Sequence, residues 1–310
     1  MKVLISDELQ DEGIKIFEDN GFEVIKKFSI THEDLKKEIG EYDGIVIRSR
    51  TKLTADVLEN AKILKAIGRA GVGLDNVDRE KAAEMNIEVL NTPEAPAVSV
   101  AELALGLMLS LARKISHADR TTHQGKWNKS QYLGYTLNGK KLGLIGFGNI
   151  AKHLAKITLV MGMSVGVYSR FSKGQKAIDE AKEIGCSIYN SIEDLVKDAQ
   201  IISLHLPATP QTENIVNGNL IKLMRKDAII INTARGTLID DTALVKALEN
   251  KNISGAALDV YREEPLKDPE LIKCEENLIL TPHIGSQSIE NQIAAATMIA
   301  DKMSKFLKEI

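Results

Sequence analysis

The chain has 310 residues, a formal net charge of −3, 44% hydrophobic residues and 27% charged residues, which is typical of a globular protein with two domains. Because no basic stripe or long block of like charge occurs, the sequence argues against a nucleic-acid-binding protein. The longest apolar stretch, 98–112, is interrupted by Ser99, Glu102 and Ser110 and is too short to span a bilayer, so we expect no membrane partner.

The cysteines and the N-terminus indicate the cellular compartment. Only Cys186 and Cys274 are present, far apart and without metal-ligand spacing, which favours a reducing environment. The N-terminal segment MKVLISDELQ reaches acidic residues at Asp7 and Glu8, so we expect no signal peptide. The sequence therefore predicts a cytoplasmic protein. We expect no metal site, since the six histidines form no ligand cluster.

Short β-branched runs alternate with helical patterns in the first third of the chain. Helices are expected at 11–19 and 54–60, among others. The predicted strands are 3–5, 22–25, 44–47, 64–67 and 87–90. This alternation is typical of right-handed βαβ units around a parallel sheet.

The segment from Ser99 to about Ile115 predicts a long helix that is apolar around most of its circumference. Such a helix must be buried. We expect it to link two domains and to be buried either between them or against another subunit.

The alternation of strand and helix starts again after Asn138-Gly139. Helices are expected at 149–161 and, near the C-terminus, at about 288–307. The predicted strands are 142–145, 164–168, 201–204, 228–231, 255–258 and 278–280. The last helix is expected to return to the first domain. The predicted fold is α/β with two doubly wound parallel sheets: a Rossmann dinucleotide-binding domain, 97–285, inserted into a discontinuous flavodoxin-like substrate domain, 1–96 and 286–310.

A glycine-rich turn follows the predicted strand 142–145. Gly146 permits a tight turn, Gly148 lets the backbone approach a pyrophosphate, and Ala151 stands where helix and strand pack closely. A phosphate would rest on the amides at the start of the next helix, near Asn149 and Ile150. The strand before and the helix after this turn are what a dinucleotide-binding fingerprint requires.

The acidic residue expected at the end of the second strand of such a domain is missing, and Ser169 stands there. An acid at this position binds the ribose hydroxyls of NAD and repels the phosphate of NADP. Arg170 and Lys173 offer positive charge for that phosphate. The sequence therefore favours NADP(H), with NAD(H) as the alternative if these residues form only a solvated basic loop.

Three charged residues follow strands of the second domain: Arg235, Glu264 and His283. Because loops at the carboxyl ends of parallel strands line the ligand crevice, all three are expected on the cofactor side. Arginine can hold a carboxylate bidentately and polarise a carbonyl, histidine can donate a proton to it, and a neighbouring carboxylate can orient the imidazole. Each residue alone would more often be an ordinary loop charge, so the prediction rests on their combination with the fingerprint.

With these residues, the chain resembles the D-isomer-specific 2-hydroxyacid dehydrogenase family along nearly its whole length. The resemblance is carried by LGLIGFGNIA, INTARGTLID, DVYREEP, TPHIG and LHLPATPQT, with Ala151 in place of the family's usual third glycine. It implies catalytic roles for Arg235, Glu264 and His283, in a site between two domains, and a homodimer assembled through the long helix. It also implies cofactor contacts from the loops at His205, Pro207, Thr212, Thr233, Ala234, Asp259 and Gly285.

The N-terminal half is similar to the D-3-phosphoglycerate dehydrogenases, a branch of this family, in Ile47–Thr51 and Gly68–Asn76. Arg48 and Arg69 follow predicted strands and are expected, with Ser49, to hold a substrate phosphate. The backbone amides of Val72 and Gly73 are expected to bind the substrate carboxylate. The alternative is that the arginines are surface charges on turns.

Two departures bear on the substrate. The sequence ends at residue 310, so we expect a short form without the regulatory domain of longer phosphoglycerate enzymes. Ser169 is more like NADPH-linked glyoxylate and hydroxypyruvate reductases. We therefore carry three hypotheses: interconversion of 3-phosphoglycerate and 3-phosphohydroxypyruvate in serine biosynthesis, NADPH-dependent reduction of glyoxylate or hydroxypyruvate, and a non-catalytic cofactor sensor on the same fold.

Overall fold

The computed structural model describes residues 1–95, 97–169, 175–274 and 277–310. The chain divides into two compact units. Unit 1 comprises residues 1–96 and 286–310, and unit 2 comprises residues 97–285. Each unit has its own parallel sheet with helices on both faces.

The first part of unit 1 alternates short strands and helices. In chain order they are β1 (Lys2–Ile5), α1 (Asp11–Asp19), β2 (Glu23–Lys26), α2 (His32–Glu38), β3 (Gly44–Ile47), α3 (Ala55–Leu58), β4 (Ala66–Arg69), α4 (Arg79–Glu84) and β5 (Glu88–Asn91). The side chains of Thr31 and Asp78 cap α2 and α4 by accepting hydrogen bonds from first-turn amides, which explains why these helices begin where they do.

Unit 2 begins with two consecutive helices and continues as repeated strand–helix pairs. Its elements are α5 (Ala97–Arg113), α6 (Ile115–His123), β6 (Lys141–Ile145), α7 (Asn149–Val160), β7 (Ser164–Tyr168), α8 (Gln175–Ile184), β8 (Ser187–Ile188), α9 (Ile192–Asp198), β9 (Ile201–Leu204), α10 (Gly218–Ile221), β10 (Ile229–Asn232), α11 (Asp241–Glu249), β11 (Gly255–Leu258), α12 (Pro269–Lys273) and β12 (Leu278–Leu280). Short 3₁₀ turns occur in unit 1 at Ile39–Glu41 and in unit 2 at Lys129–Tyr132 and Gly236–Leu238.

The last helix, α13 (Ile289–Glu309), belongs to unit 1. Its residues Ile299, Met303 and Leu307 are buried in one core with Val3 and Ile5 of β1. The sheet of unit 1 has the order β2-β1-β3-β4-β5, and all neighbouring strands are parallel. This is the flavodoxin-like order.

The sheet of unit 2 has the order β12-β11-β10-β9-β6-β7-β8, again with parallel neighbours. When the strands are renumbered from β6 as the first, the sheet has the Rossmann order 3-2-1-4-5-6, and β12 extends it by one strand. The strand order reverses between β6 and β9. In open parallel sheets, ligands bind at the carboxyl ends of the strands beside such a reversal. The predicted fold class is thereby confirmed.

The apolar helix after residue 96 differs from the prediction. It ends at Arg113, because Lys114 adopts a left-handed conformation with φ of 54° before α6 begins. Its buried residues pack with α7 and with β10 and β11 of unit 2, so its own unit provides the burial that its apolar composition requires. Within the described residues, no helix has both the length and the apolar character needed to cross a membrane.

Candidate active site

The turn after β6 requires glycine for two reasons. Gly146 has φ of 96°, in the region that favours glycine. A Cβ at this position would lie 2.4 Å from the carbonyl oxygen of His205, which directly follows β9. The Gly146 N–H donates to the Tyr168 carbonyl at the end of β7. The turn is therefore held beside β7 and β9, where the strand order reverses.

The start of α7 is open to a ligand. Gly148 is the N-cap residue, and no side chain caps the helix. Gly148 and Asn149 are exposed, Ile150 is half-buried, and a Cβ on Gly148 would meet no atom within 4 Å. Free first-turn amides and the helix dipole favour an anion at this position. These features fit the pyrophosphate of a dinucleotide.

Two hydroxyl groups near the same sheet edge also fit a bound ligand. Ser169 follows β7 and Thr233 follows β10, and each has a buried hydroxyl oxygen without a hydrogen-bond partner among the described residues. Buried polar atoms are normally satisfied, so a ligand hydroxyl or phosphate is a suitable partner for them. Arg170 and Lys173, predicted to bind the cofactor phosphate, lie outside the described residues.

The loop after β9 contains three residues predicted to contact the cofactor. Thr212 is buried, and its hydroxyl donates to the carbonyl of Pro207 at 2.7 Å and accepts from the amide of Thr209 at 2.9 Å. His205 contacts the Ser203 hydroxyl through Nε2 at 3.0 Å, and burial lowers the pKa of His205 to about 4. Thr212 therefore shapes the loop, His205 is neutral near pH 7, and exposed Pro207 leaves a surface at which a ligand can lie.

Glu264 and His283 form the central pair of the site. Glu264 Oε2 lies 2.7 Å from His283 Nδ1, and its other oxygen accepts from the Tyr261 amide at 3.1 Å. The side chains of His283 and Glu264 are 48% and 38% exposed. An ionised carboxylate only accepts hydrogen bonds, so Nδ1 carries the proton in this contact. Nε2 is then the nitrogen that can exchange a proton with a substrate.

The backbone at His283 is constrained from both sides. Its φ is 53°, a left-handed conformation that non-glycine residues adopt only under restraint. On one side, its N–H donates to the Thr281 carbonyl at 3.0 Å. On the other side, the amides of Ile284 and Gly285 donate to the carboxylate of Asp259, each at 2.8 Å.

Asp259 was predicted to contact the cofactor, and its described hydrogen bonds are made to the protein itself. It is 1% exposed, and besides the two amides it accepts a hydrogen bond from the Thr281 hydroxyl at 2.6 Å. Gly285, another predicted cofactor residue, is held on its other side by Ser99, whose hydroxyl donates to its carbonyl at 2.7 Å. In the structure both residues hold the loop that carries His283.

Arg235 stands in a loop shaped by Asn232. The Asn232 side chain accepts from the Ala234 amide at 3.1 Å and donates to the Arg235 carbonyl at 2.8 Å. The Arg235 guanidinium donates to the Ala234 carbonyl at 2.7 Å. A Cβ on the next residue, Gly236, would lie 2.0 Å from the Tyr261 carbonyl carbon. The Arg235 loop therefore abuts the loop that carries Glu264.

In unit 1, Asp7 organises the loop after β3. Its carboxylate accepts from the Arg48 amide at 2.6 Å and the Thr51 hydroxyl at 2.7 Å, and pairs with Arg50 at 3.0 Å. Among the described residues the Arg48 guanidinium forms no direct salt bridge: it makes one long bond, 3.4 Å, to the Glu8 carbonyl, and the carboxylates of Asp7 and Glu8 act on it only through their charge. Burial lowers the pKa of Arg48, yet it stays a cation near pH 7. Arg48 is thus a partly desolvated charge suited to an anion, with exposed Ser49 beside it.

Arg69 and the following turn form a second feature of unit 1. Gly71 has φ of 144°, a conformation that favours glycine, and the Arg69 guanidinium lies over it, with Nη1 1.4 Å from where a Cβ would stand. Thr92 donates its amide to the Gly71 carbonyl at 2.9 Å, and Asn91 donates its side-chain amide to the Val72 carbonyl at 2.7 Å. In the described part of the chain, the amides of Val72 and Gly73 donate no backbone hydrogen bond. They remain available to a carboxylate.

Three residues that hold predicted site residues in place were missed by the sequence reasoning: Asp7 and Asn91 in unit 1, and Tyr261 in unit 2. Asp7 and Asn91 stand at the ends of β1 and β5, where the rule used for Arg235 would have found them. Tyr261 lies in the loop that carries Glu264, but no local pattern predicts that its hydroxyl reaches Thr281. Within the described residues, no group of His, Cys, Asp or Glu is arranged to hold a metal ion.

Fold and site together define a two-unit α/β protein with a Rossmann-type nucleotide-binding unit and a Glu–His pair at its strand ends. Comparison with known proteins gives the family. The family model "D-isomer specific 2-hydroxyacid dehydrogenase, NAD binding domain" matches residues 105–285, more than half of the chain. The chain therefore belongs to the D-isomer specific 2-hydroxyacid dehydrogenase family, as the motifs predicted.

Individual relatives agree. Over 99% of its length the chain is 43% identical to D-3-phosphoglycerate dehydrogenase of Methanocaldococcus jannaschii, of which it spans only 58%. It is 40% identical to hydroxypyruvate reductase of Thermotoga maritima, covering 99% of this chain and 98% of that one. The crystal structure of NADPH-dependent glyoxylate/hydroxypyruvate reductase of Sinorhizobium meliloti superposes with a TM-score of 0.83 at 25% identity, covering 99% and 94% of the two chains. The predicted similarity to D-3-phosphoglycerate dehydrogenases is confirmed.

Proposed function

We propose that the protein is an NAD(P)-dependent dehydrogenase of D-2-hydroxy acids that uses Arg235, Glu264 and His283. The observation that carries this proposal is the 2.7 Å contact between Glu264 and His283 at the strand ends of the nucleotide-binding unit. An imidazole with one nitrogen held by a carboxylate and the other available is suited to proton transfer. The family supports the reaction class.

Each residue has a distinct part in this proposal. His283 Nε2 donates a proton to the carbonyl oxygen of a 2-oxo acid, and takes it back when the hydroxy acid is oxidised. Glu264 orients the ring and stabilises its protonated form. Arg235 binds the substrate carboxylate and polarises the carbonyl. The nicotinamide, when bound, supplies or accepts the hydride.

The cofactor would lie along residues already described. The open start of α7 at Gly148 is suited to the pyrophosphate, and the unpartnered hydroxyls of Ser169 and Thr233 offer further contacts. NADP(H) is favoured over NAD(H), because Ser169 places no negative charge where an NAD-specific enzyme has an acid.

For the substrate, the first candidate is 3-phosphoglycerate and its oxo acid. Arg48 supports this choice, since it is a partly buried cation that forms no direct salt bridge among the described residues, although the charges of Asp7 and Glu8 act on it, and a phosphate is a strong partner for a guanidinium. Arg69 would add a second cation, and the amides of Val72 and Gly73 would bind the carboxylate.

A second candidate is an NADPH-dependent reductase of glyoxylate or hydroxypyruvate. Ser169 favours it through the cofactor, and the Thermotoga maritima hydroxypyruvate reductase matches this chain over 98% of its own length. In this case Arg48 and Arg69 would be structural or surface charges.

We also propose a cytoplasmic homodimer. Support for the dimer comes from two large apolar side chains on the surface of unit 2, Trp127 at 85% exposed and Leu133 at 83% exposed, which a partner subunit would cover. Analytical ultracentrifugation should give twice the monomer mass, and Trp127→Ser should shift it toward the monomer.

The proposed function is tested by initial rates of nicotinamide oxidation. NADH and NADPH are each combined with 3-phosphohydroxypyruvate and with glyoxylate, and kcat/KM is compared for wild type, Arg48→Ala and Arg48→Lys. If the phosphate is bound as proposed, Arg48→Ala loses turnover of the phosphorylated acid and largely spares glyoxylate, while Arg48→Lys retains part of it. Equal losses on both acids would contradict the phosphate site.

The same experiment addresses catalysis. His283→Ala should lower kcat by about two to four orders of magnitude. Unchanged turnover in that variant would show that His283 is not the acid. Absence of turnover by the wild type with every combination would favour a cofactor-sensing protein on the same fold.

A further inference from the structure

Tyr261 contacts both loops that carry the Glu264–His283 pair. Its backbone amide donates to Glu264 Oε1 at 3.1 Å. Its hydroxyl lies 2.8 Å from the Thr281 carbonyl and 3.1 Å from the Leu258 carbonyl. One residue is therefore bonded to the carboxylate of the pair and to the chain segment that leads into the histidine.

The two carbonyls are the points at which β11 and β12 end. The Thr281 amide donates to the Leu258 carbonyl at 3.0 Å, and the His283 amide donates to the Thr281 carbonyl at 3.0 Å. The Tyr261 hydroxyl thus binds the Leu258 carbonyl, which accepts the last hydrogen bond between the two strands. It also binds the Thr281 carbonyl, which accepts from the His283 amide. Because a phenol has a single proton, this is a three-centre hydrogen bond that ties both carbonyls to one side chain.

Tyr261 is suited to a fixed rather than a reactive role. Its ring packs against the core formed by β9, β10 and β11, and burial raises the pKa of its hydroxyl to about 12. The hydroxyl therefore stays a neutral donor at the pH at which an imidazole exchanges protons. Since His283 needs restraint to hold its left-handed backbone, Tyr261 acts on one side of it and Asp259 on the other.

We infer that Tyr261 is a positioning residue: its hydroxyl holds Thr281–His283 at the separation from Glu264 that the 2.7 Å imidazole–carboxylate contact requires. The inference deepens the proposed function and rests on it where turnover is the readout. The charged groups next to His283 in this network are Glu264, which contacts the ring, and Asp259, which binds the following amides. Both carboxylates are retained when the Tyr261 hydroxyl is removed, so only the position of the imidazole relative to Glu264 changes.

The test uses Tyr261→Phe, which removes the hydroxyl and keeps the packed ring. Loss of one such hydrogen bond corresponds to about a threefold to tenfold effect, so kcat for oxo-acid reduction should fall by that factor with little change in KM for the dinucleotide. The alkaline limb of the kcat/KM profile should move to lower pH, because an imidazole that is no longer held at contact distance from Glu264 is stabilised less in its protonated form. Tyr135→Phe is the matched control, since the buried Tyr135 hydroxyl has no partner among the described residues.

A second readout does not depend on activity. The imidazole ¹⁵N chemical shifts of His283, assigned by their loss in His283→Gln, should change in Tyr261→Phe and stay unchanged in Tyr135→Phe. If Tyr261→Phe lowers only the free energy of unfolding, and leaves the pH profile and the ¹⁵N shifts as in wild type, the hydroxyl is merely structural and the inference is wrong. If wild type shows no turnover while the ¹⁵N shifts respond, the proposed function fails and the positioning stands.

Discussion

Replacing Gly148 by alanine should leave the fold intact and impair dinucleotide binding. The backbone of Gly148 has φ of −91°, which alanine adopts without strain, and the new methyl group would meet no protein atom within 4 Å. Reduced freedom of the unfolded chain favours alanine by about 0.4–1 kcal/mol, while alanine is a poorer N-cap by about the same amount. The free energy of unfolding should therefore stay within about 0.5 kcal/mol of wild type.

The effect on binding should be much larger. A pyrophosphate resting on the first-turn amides of α7 would meet the new methyl group, and such overpacking costs about 1–3 kcal/mol. The dissociation constants of NADH and NADPH should accordingly rise by about fivefold to 150-fold.

Gly146→Ala is the contrasting variant. Alanine at φ of 96° costs about 1–2 kcal/mol. Its Cβ would lie 2.4 Å from the His205 carbonyl oxygen, and displacing that backbone adds about 1–3 kcal/mol. The sum, about 2–5 kcal/mol, is a large part of the 5–15 kcal/mol by which domains are typically stable.

Urea denaturation and nicotinamide-fluorescence titration separate the two effects. Gly148→Ala should keep the wild-type urea midpoint and bind the dinucleotide more weakly. Gly146→Ala should unfold at a lower urea concentration than wild type. Wild-type affinity in Gly148→Ala would refute the placement of the pyrophosphate at α7. Equal destabilisation by both variants would refute the reasoning from the Cβ positions.

Two further predictions concern the supporting residues. Burial raises the pKa of Asp241 from 3.8 to about 6, against the effect of Arg262; a carboxyl with a raised folded-state pKa destabilises the protein as pH rises through that interval. Asp241→Asn should therefore match wild type below pH 4 and be more stable at pH 8 by roughly 1–3 kcal/mol in urea denaturation, and parallel pH curves would contradict this. Asn91→Ala removes the hydrogen bond to the Val72 carbonyl and should raise KM for the oxo acid about fivefold. The dinucleotide affinity, measured by fluorescence titration, should stay unchanged. A change in dinucleotide affinity instead would count against a role of the Val72 turn in substrate binding.

Strand positions were predictable because buried parallel strands are continuous apolar runs. The predicted strands 44–47, 164–168, 201–204, 255–258 and 278–280 have the observed bounds. The two-residue strand Ser187–Ile188 was missed, since so short a run carries no periodicity. The long helix was predicted to continue to about Ile115, but the left-handed Lys114 ends it at Arg113.

For the site, the rule that ligands lie at the carboxyl ends of strands selected Arg235, Glu264 and His283, and the structure brings the last two into contact. Their catalytic roles stay predictions. The same rule could not tell a ligand contact from a structural one. Asp259 also follows a strand, and the family resemblance predicts that it contacts the cofactor. Its carboxylate accepts three hydrogen bonds from the 281–285 loop, and these depend on the position of β12 beside β11.

The sequence by itself determined the α/β class, the turn at Gly146 and the family, because these depend on patterns within a few residues of one another. Only the tertiary structure decided which polar groups are already satisfied and which are open. Glu264 and His283 are 19 residues apart in the chain, and Thr281 meets Tyr261 20 residues away. Such contacts follow from the parallel register of β11 and β12, and register is set by the packing of whole strands rather than by any local motif.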